Sequence, residues 1–283
     1  MLSILIPTYD YTCYKLVYDL HQQAESLGIA YEIIVVEDGS HYPVSIIANH
    51  KIIELSNCRH IQHKENMGRA AIRNFLIDES KGDMLLFMDA DGKVVSEEFL
   101  KKYVEAGKEH DVVCGGICHP DVCYNPHKQL RWKYEKRYEE KHGYISQQFR
   151  SFCFMVSREV AQKVRFDERF KMYGYEDVLF GKELEKAGYK IHGIENPLMN
   201  SDIEDNDVFL KKTEEALKTA HRFQKEIGDD VTIVHIYNKY RGMGWAMRVF
   251  FAMFKGVMKH NLLSSKPSLS LFSLYKLCYY STL

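Results

Sequence analysis

The sequence predicts an α/β fold in which a sheet is flanked by helices, followed by a helical extension at the C-terminus. Short apolar runs alternate with helical segments over residues 1–115, and polar residues directly follow three of these runs. The length of 283 residues suits one large α/β domain with an extension. Strands that alternate with helices pair in parallel, and ligands bind beyond the carboxyl ends of such strands. The order of elements therefore also predicts where a ligand would bind.

The elements of the first half are apolar strands and the helices between them. The predicted strands end at turn residues and cover residues 3–6, 31–36, 60–62, 83–88 and 111–114. The predicted helices cover residues 14–26, 44–55, 67–79 and 97–107, with Gly28 at the end of the first. The three runs followed by polar residues end at Thr8-Tyr9, Glu37-Asp38 and Asp89-Ala90-Asp91. These three segments are expected to meet in one crevice.

From about residue 120 the pattern changes to longer and more charged helices. Helices are predicted over residues 129–141, 176–187 and 208–226. Strands are predicted over residues 149–156 and 189–194. Acidic residues are absent after Asp230, which marks the C-terminal segment as different in composition.

The composition excludes some partners and sites. The 38 basic and 39 acidic residues give a net charge of −1, so there is no general attraction to nucleic acid. Cys114, Cys118 and Cys123, with His110 and His119 nearby, match no usual spacing of a structural zinc site. We interpret the cysteines as reduced thiols of a cytoplasmic protein, and the N-terminus shows no signal-peptide pattern.

Two aspartates after residues 84–88 form the most informative motif. Asp89 and Asp91 are two positions apart, so in an extended chain their side chains point in the same direction. Paired carboxylates suit Mg²⁺ or Mn²⁺, which keep coordination positions open for substrate phosphates. A calcium-binding loop is excluded because its first ligand would be Phe87. The motif predicts a divalent-cation site, although Asp-X-Asp also occurs in turns.

Other residues near the strand ends suit a nucleotide. The Tyr9 ring can stack on a base, and Asp38 can accept a hydrogen bond from a base imide. Asn66 begins a turn before a helix, from which Arg73 can point its guanidinium toward the crevice. The alternatives are ordinary turn residues for Tyr9 and Asp38, and a solvated helix face for Arg69 and Arg73.

Five motifs, in this order, resemble those of glycosyltransferase family 2. They are Pro7-Thr8-Tyr9-Asp10, the run 34–40 ending in Glu37-Asp38-Gly39-Ser40, Asn66 and Gly68 with Arg73-Asn74, Asp89-Ala90-Asp91, and Tyr173-Gly174-Tyr175-Glu176-Asp177. Any one motif would be weak evidence, but five motifs in this order are not expected by chance, and the resemblance covers roughly residues 2 to 215. The resemblance implies the GT-A fold, a Rossmann-like mixed sheet flanked by helices. It also implies a catalytic domain over residues 1–230, with a nucleotide half to about 115 and an acceptor half after it.

The resemblance assigns roles to individual residues. A nucleotide-sugar donor, expected to be a UDP-sugar, is held by Pro7, Thr8, Tyr9, Asp38, Asn66, Arg73 and Asp89. Asp91, with Asp89, binds Mn²⁺ or Mg²⁺ on the diphosphate. Asp177 is the general base with Glu176 beside it, and a single carboxylate facing the acceptor predicts inversion of the anomeric centre. The helix dipole is expected to favour ionised Asp177, whose alternative role is that of an ordinary N-terminal helix acid.

Some positions depart from the family or leave two interpretations open. Asp10 and Glu37 replace Asn and Asp, and Asn200 stands where relatives often carry a histidine ligand, which puts metal dependence in doubt. Trp132 and Tyr175 are expected on the acceptor side, although Trp132 can equally serve packing.

The segment 231–283 is predicted to be a helical extension. Arg248, Lys255 and Lys259 share one helix face, and the other faces are apolar and too short to span a bilayer. A helix lying on the inner face of an anionic cell membrane fits this pattern, and residues 242–280 would form the contact. The alternative is a helix pair that covers the domain or forms a dimer contact.

The sequence therefore predicts an inverting glycosyltransferase of the hexosyltransferase type. It would move sugar to a hydroxyl of a glycan or lipid-linked acceptor in cell-surface polysaccharide synthesis, as a cytoplasmic or peripheral membrane protein. Two alternatives remain: a sugar nucleotidyltransferase, whose usual Gly-rich loop is missing after Ile6, and a non-catalytic protein that binds sugar nucleotides.

Overall fold

The computed structural model describes residues 1–140 and 149–283 and confirms the alternation of strands and helices. The strands are β1 Leu2–Thr8, β2 Tyr31–Asp38, β3 Cys58–His63, β4 Met84–Met88, β5 Gly92–Lys93, β6 Val112–Cys114, β7 Ile117–Cys118, β8 Cys153–Ser157, β9 Ile191–Gly193 and β10 Leu198–Asn200. The helices are α1 Tyr14–Leu27, α2 Pro43–His50, α3 Arg69–Glu79, α4 Phe99–Ala106, α5 Gln129–Tyr134, α6 Arg158–Lys163, α7 Glu176–Lys186, α8 Asn206–Arg222, α9 Gln224–Ile227, α10 Thr232–Lys239, α11 Gly244–Leu262 and α12 Leu269–Tyr280.

The central sheet has seven strands in the order β3-β2-β1-β4-β8-β6-β9. The pairs β1–β2, β2–β3, β1–β4 and β6–β9 are parallel. Strand β8 runs antiparallel to both β4 and β6, which makes the sheet mixed, as predicted. A smaller sheet, β5-β10-β7, sets Asn200 opposite Gly92, immediately after Asp89-Ala90-Asp91. The topology thus gathers the carboxyl ends of β1, β2 and β4.

Several boundaries differ from the predictions for physical reasons. The predicted strand 149–156 begins only at Cys153, because Phe149 is apolar for packing against Phe154 and Phe180 rather than for strand pairing. Helix α6 was not predicted; it begins where the Ser157 hydroxyl accepts a hydrogen bond from the Val160 N–H.

The long helices are also divided. The predicted helix 129–141 continues from α5 into a π-helical turn, Glu135–Glu139, and its expected end at Lys141 lies outside the described residues. The predicted helix 208–226 is split at Phe223 into α8 and α9.

Three hydrophobic clusters hold the chain together. One packs α1 and α4 on the central sheet, and a second packs α3, α6 and α7 on strands of the same sheet. A third joins α8 to the tail helices α10, α11 and α12 through Phe209, Phe251, Phe272 and Tyr275. Residues 231–283 therefore pack on the predicted acceptor half, as in the covering-helix alternative.

Helix α11 buries one side and exposes the other. Phe251 and Met258 face the third cluster, whereas Trp245, Met253 and Val257 are 71%, 65% and 69% exposed. Lys259, expected on the basic outer face, instead forms an ion pair of 2.9 Å with Glu214 of α8. Within residues 1–140 and 149–283, no helix combines the length and apolarity needed to cross a bilayer.

Candidate active site

A cavity of about 340 Å³ lies at the carboxyl ends of β1, β2 and β4. It brings together residues from the strand ends, from α3 and from the segment after β10. Its lining comprises Pro7, Thr8, Tyr9, Tyr11, Asp38, Arg69, Ile72, Arg73, Asp89, Ala90, Asp91, Tyr173, Asp202, Glu204 and Lys212. We call it the donor cavity. All residues predicted to contact a nucleotide line it except Asn66.

Tyr9 offers the donor cavity an exposed aromatic face. Tyr9 is 49% exposed, and its ring lies edge-to-face with the His41 ring, with the ring centroids 6.3 Å apart. Thr8 beside it is buried, and its hydroxyl donates to the Tyr11 carbonyl at 3.1 Å. Because the aromatic surface is not used in the core, it is available for stacking on a planar ligand.

Asp38 is held by the turn that begins at Asn66. Its carboxylate accepts hydrogen bonds from the N–H groups of Met67 at 2.7 Å and Gly68 at 3.1 Å. Burial raises the pKa of Asp38, although these two hydrogen bonds oppose the rise. The Asn66 amide donates to the Asp38 carbonyl at 2.9 Å, so Asn66 braces the site and does not line it.

The approach of the two loops requires glycine at position 39. Gly39 has a φ of +72°, and a Cβ atom there would lie 2.5 Å from the backbone nitrogen of Asn66. No L side chain fits at that distance, so Gly39 fixes the position of the Asn66 turn against the end of β2.

Arg69 and Arg73 of α3 form a clamp on two carboxylates. Arg69 contacts Asp89 at 2.7 Å and Glu176 at 3.1 Å, and Arg73 contacts the same carboxylates at 2.9 Å and 3.2 Å. The Arg73 side chain is only 2% exposed, which overturns the solvated-face alternative for that residue. The clamp ties the end of β4 to the start of α7. Both carboxylate oxygens of Asp89 are occupied by arginine.

Asp91 is the acid of its motif that faces the donor cavity without a basic partner. In the described part of the chain no lysine or arginine nitrogen lies within 4 Å of its carboxylate. Burial, and then the neighbouring charge of Asp89, raise the pKa of Asp91 to about 6. A carboxylate that lacks a cation, with Asp202 and Glu204 in the same cavity, suits a hard divalent ion such as Mg²⁺ or Mn²⁺. The residues present therefore fit the implied metal.

Asn200 does not replace the histidine ligand of relatives. Its side chain is buried and donates to Glu135 at 3.2 Å, and it does not line the donor cavity. Among the described residues, the side chains that gather three potential ligand atoms are His119, Glu135 and Glu139. Glu135 there forms ion pairs with Arg131 and, at 2.9 Å, with His119. We interpret this cluster, which contains none of the cysteines, as a buried ion-pair network.

A second cavity, of about 270 Å³, adjoins the donor cavity through shared lining residues. The residues common to both are Arg69, Tyr173 and Lys212. The second cavity also contains the acidic pair at the start of α7 and residues of α5, α8 and α12. We call it the acceptor cavity.

Asp177 and Glu176 have different environments in the acceptor cavity. Glu176 is buried in the arginine clamp. Asp177 is partly buried, accepts a hydrogen bond from the Val178 N–H at 2.8 Å, and has no lysine or arginine nitrogen within 4 Å in the described residues. Burial, and then the charge of Glu176, raise the pKa of Asp177 to about 6. Burial and the charge of Glu176 thus outweigh the effect on the Asp177 pKa that was expected from the helix dipole.

The backbone just before the acidic pair adopts an unusual conformation. Gly174 and Tyr175 both have positive φ, +99° and +67°. Tyr175, expected on the acceptor side, lines the same cavity as Asp177. A left-handed non-glycine residue is strained, and this turn sets the direction in which α7 presents Asp177.

Trp132 is not an acceptor-side residue in this structure. Its indole N–H donates to the Pro120 carbonyl at 2.8 Å, and it lines neither cavity. The packing alternative is therefore the one observed.

Sequence reasoning also missed several lining residues. Arg69 could have been found from its position four residues before Arg73 on the same helix face. Tyr173 belongs to the fifth motif, which gave it no role. Asp202, Lys212 and Lys276 reach the cavities only through tertiary packing and carry no local signal.

Known structures share this fold over most of the chain. S. aureus TarS, residues 1–349, aligns in its complex with UDP-GlcNAc at a TM-score of 0.55 and 15% identity, covering 99% of this chain and 89% of that one. Its complex with UDP gives a TM-score of 0.53. Mannosyl-3-phosphoglycerate synthase from Rubrobacter xylanophilus gives 0.54 at 15% identity, over 80% of this chain and 75% of that one. These likenesses confirm the GT-A fold.

Sequence comparison identifies the family. An uncharacterized glycosyltransferase of Haemophilus influenzae is 25% identical over 174 residues, which are 59% of this chain. The match spans 66% of that relative's length, just under two thirds. The profile described as Glycosyl transferase family 2 matches residues 3–165, more than half of the chain. The chain therefore belongs to glycosyltransferase family 2.

Proposed function

We propose that this protein is an inverting glycosyltransferase that moves a hexose from a UDP-sugar to a hydroxyl of a glycan or lipid-linked acceptor. The observation that carries the proposal is the pair of adjoining cavities, in each of which the second acid of a motif pair, Asp91 or Asp177, has no lysine or arginine partner among the described residues. Family membership favours glycosyl transfer over the nucleotidyl transfer that the sequence left open.

The donor cavity suits a nucleoside diphosphate. The exposed face of Tyr9 can stack on the base, and Asp38, fixed by the Asn66 turn, can accept a hydrogen bond from a base N–H. TarS, which has the same fold, has been solved with UDP and with UDP-GlcNAc, which supports uridine as the base to test first. Lys212 and Arg69 line both cavities and would face the diphosphate at their junction, and each is also paired with a carboxylate.

Asp91 would hold the divalent cation, with Asp202 as a further oxygen ligand in the same cavity, whereas Glu204 is paired with Lys212. A bound Mg²⁺ or Mn²⁺ would neutralise charge that develops on the leaving diphosphate. The arginine clamp keeps Asp89 oriented beside Asp91 but withdraws both Asp89 oxygens from direct ligation.

Asp177 would accept the proton of the attacking hydroxyl. Its pKa of about 6 leaves it largely ionised at pH 7 yet basic enough to take a proton as the new bond forms. Glu176 is held by Arg69 and Arg73, so it orients the start of α7 and does not act as a nucleophile. With Glu176 held by arginine, Asp177 is the acid of its motif that stays available beside the acceptor, which supports a single displacement with inversion.

We further propose that α11 rests on the inner face of the cell membrane, where a lipid-linked acceptor for cell-surface polysaccharide would be found. Its exposed apolar residues include Trp245, Met253 and Val257, and the nearby exposed Arg248 and Lys255 suit anionic headgroups. Sedimentation with vesicles containing anionic phospholipid tests this. Substituting Trp245 and Met253 by Ser should release the protein, and unchanged sedimentation would refute the membrane role.

The primary test is calorimetric titration of the protein with UDP, GDP and other nucleoside diphosphates, with and without Mn²⁺. With Mn²⁺ we expect UDP to bind more tightly than the other nucleoside diphosphates. Without Mn²⁺ we expect UDP to bind only weakly. Preference for another nucleotide would change the donor but keep the mechanism. Binding of UDP without any sugar transfer or donor hydrolysis would instead identify a non-catalytic sugar-nucleotide-binding protein.

A further inference from the structure

The C-terminal helix α12 supplies part of the acceptor cavity. Phe272 and Lys276, one helical turn apart, both line it. The same helix is anchored in the third hydrophobic cluster by the buried Tyr275, whose hydroxyl donates to Glu214 of α8. The extension is therefore more than a cover, because a well-packed helix presents a basic side chain to the cavity that contains Asp177.

Lys276 differs from the other cations of this cavity in having no carboxylate partner. Three cations are already paired: Arg69 with Asp89 and Glu176, Arg131 with Glu135, and Lys212 with Glu204. In the described residues no carboxylate oxygen lies within 4 Å of Lys276 Nζ, and residues 141–148 contain no Asp or Glu. The ammonium lies 4.8 Å from the ring centroids of both Tyr134 and Phe272.

An ammonium in such a place is costly unless something compensates its charge. The two aromatic rings provide some compensation through cation–π attraction. Burial lowers the pKa of Lys276 to about 8, and the charge of Glu139, on the same cavity wall, opposes that shift. The side chain thus stays mainly protonated at pH 7. The cavity holds a partly desolvated positive charge that its own acids do not neutralise.

We propose that Lys276 binds a negatively charged group, a phosphate or a carboxylate, on the acceptor, so that the acceptor class is an anionic glycan or a sugar phosphate. The inference rests on the proposed function, because it assigns the second cavity to the acceptor. It deepens that function by naming a residue that determines specificity outside the family motifs.

The test uses glucose 1-phosphate, glucuronate and glucose as probes of the full-length protein. Each is titrated by ligand-observed NMR with UDP at saturation, so that phosphate cannot enter the donor cavity, and again without UDP. We expect the wild type to bind one or both anions at least about tenfold more tightly than glucose, the effect of one hydrogen bond to a charged group. The stronger anion identifies the source of the charge.

Lys276→Gln should abolish this preference, and Lys276→Arg should retain much of it. Lys266→Gln, at an exposed lysine before α12, is the matched control and should behave as the wild type. Equal binding of all three probes to the wild type, or an unchanged preference in Lys276→Gln, overturns the proposal. UDP affinity, measured in the same samples, reports on the donor cavity alone. If the wild type does not bind UDP, the proposed function fails; if it binds UDP but shows no preference for the anions, only the role of Lys276 fails.

Discussion

The acidic pairs Asp89/Asp91 and Glu176/Asp177 invite comparison, because each divides its two carboxylates in the same way. In both pairs the first acid is held by Arg69 and Arg73 and the second is left facing a cavity. The geometry that achieves this differs. The first pair follows a strand, whereas the second begins a helix after a left-handed turn at Tyr175.

One clamp therefore serves two cavities. It forms ion pairs with the first acid of each motif, and it ties the end of β4 to the start of α7. The unpaired acids, Asp91 and Asp177, both have pKa values raised to about 6, the first by burial and Asp89 and the second by burial and Glu176. Similar electrostatic settings would thus serve the different roles proposed for the two acids, because each acid faces a different cavity.

Removing Arg73 should disrupt both acidic pairs at once, and we expect it to have the largest effect on stability and binding. Arg73→Met leaves Asp89 and Glu176 with only Arg69, and breaking a buried ion pair costs about 3–5 kcal/mol. We expect a loss of that order in the free energy of unfolding, measured by urea denaturation, together with loss of UDP binding. Arg165→Met, which removes an exposed pair with Asp78, is the control and should cost under about 1 kcal/mol. A similar small loss for Arg73→Met would show that the clamp is unimportant.

Asp177→Asn should remove the function of the second acidic pair, Glu176/Asp177, and leave the first pair unaffected. The amide cannot accept the acceptor's proton, so we expect sugar transfer to fall by about 10²–10⁴-fold. UDP affinity should be unchanged, since Asp177 does not line the donor cavity. Asp207→Asn, in the first turn of α8, is a matched control that should remain fully active. An active Asp177→Asn protein would mean that another group is the base.

Asp91→Asn should affect only the first acidic pair, Asp89/Asp91, and its effect on metal-dependent UDP binding should be smaller than the effect of Asp177→Asn on transfer. Losing one ionised oxygen ligand should weaken UDP binding in the presence of Mn²⁺ by about tenfold, which corresponds to about 1.4 kcal/mol. Binding without the metal should change little or improve, because a charge facing the diphosphate has been removed. Calorimetry with and without Mn²⁺ measures the difference, with the exposed Asp121→Asn as control. Equal metal enhancement in wild type and variant would remove Asp91 from the metal site.

The comparison also shows what the sequence could and could not predict. Both acidic pairs were predicted from motifs, because strand ends and helix starts have local signatures. The clamp could not be predicted, since Arg73 and Glu176 are 103 positions apart and meet only through tertiary packing. The same reason applies to Lys276, which reaches the acceptor cavity through α12, and to Asn200, whose side chain is drawn to the buried Glu135.

The pH dependence of sugar transfer should distinguish Asp177 from Asp91, and it is the smallest of the expected effects. A base must be ionised, and a carboxyl with a raised pKa loses its charge as the pH falls through that value. At saturating donor and metal, the rate kcat should therefore be half-maximal near pH 6 and fall about tenfold per pH unit below it, because of Asp177. Under these conditions Asp91 should not contribute, since a bound cation lowers the pKa of its ligand. In kcat/KM for the donor, which reports the free enzyme, protonation of Asp91 should add to the acid limb and steepen it.

A flat kcat from pH 7 to pH 5 would contradict the assignment of Asp177. Acid limbs of equal slope in kcat and kcat/KM would instead contradict the division of roles between the two pairs.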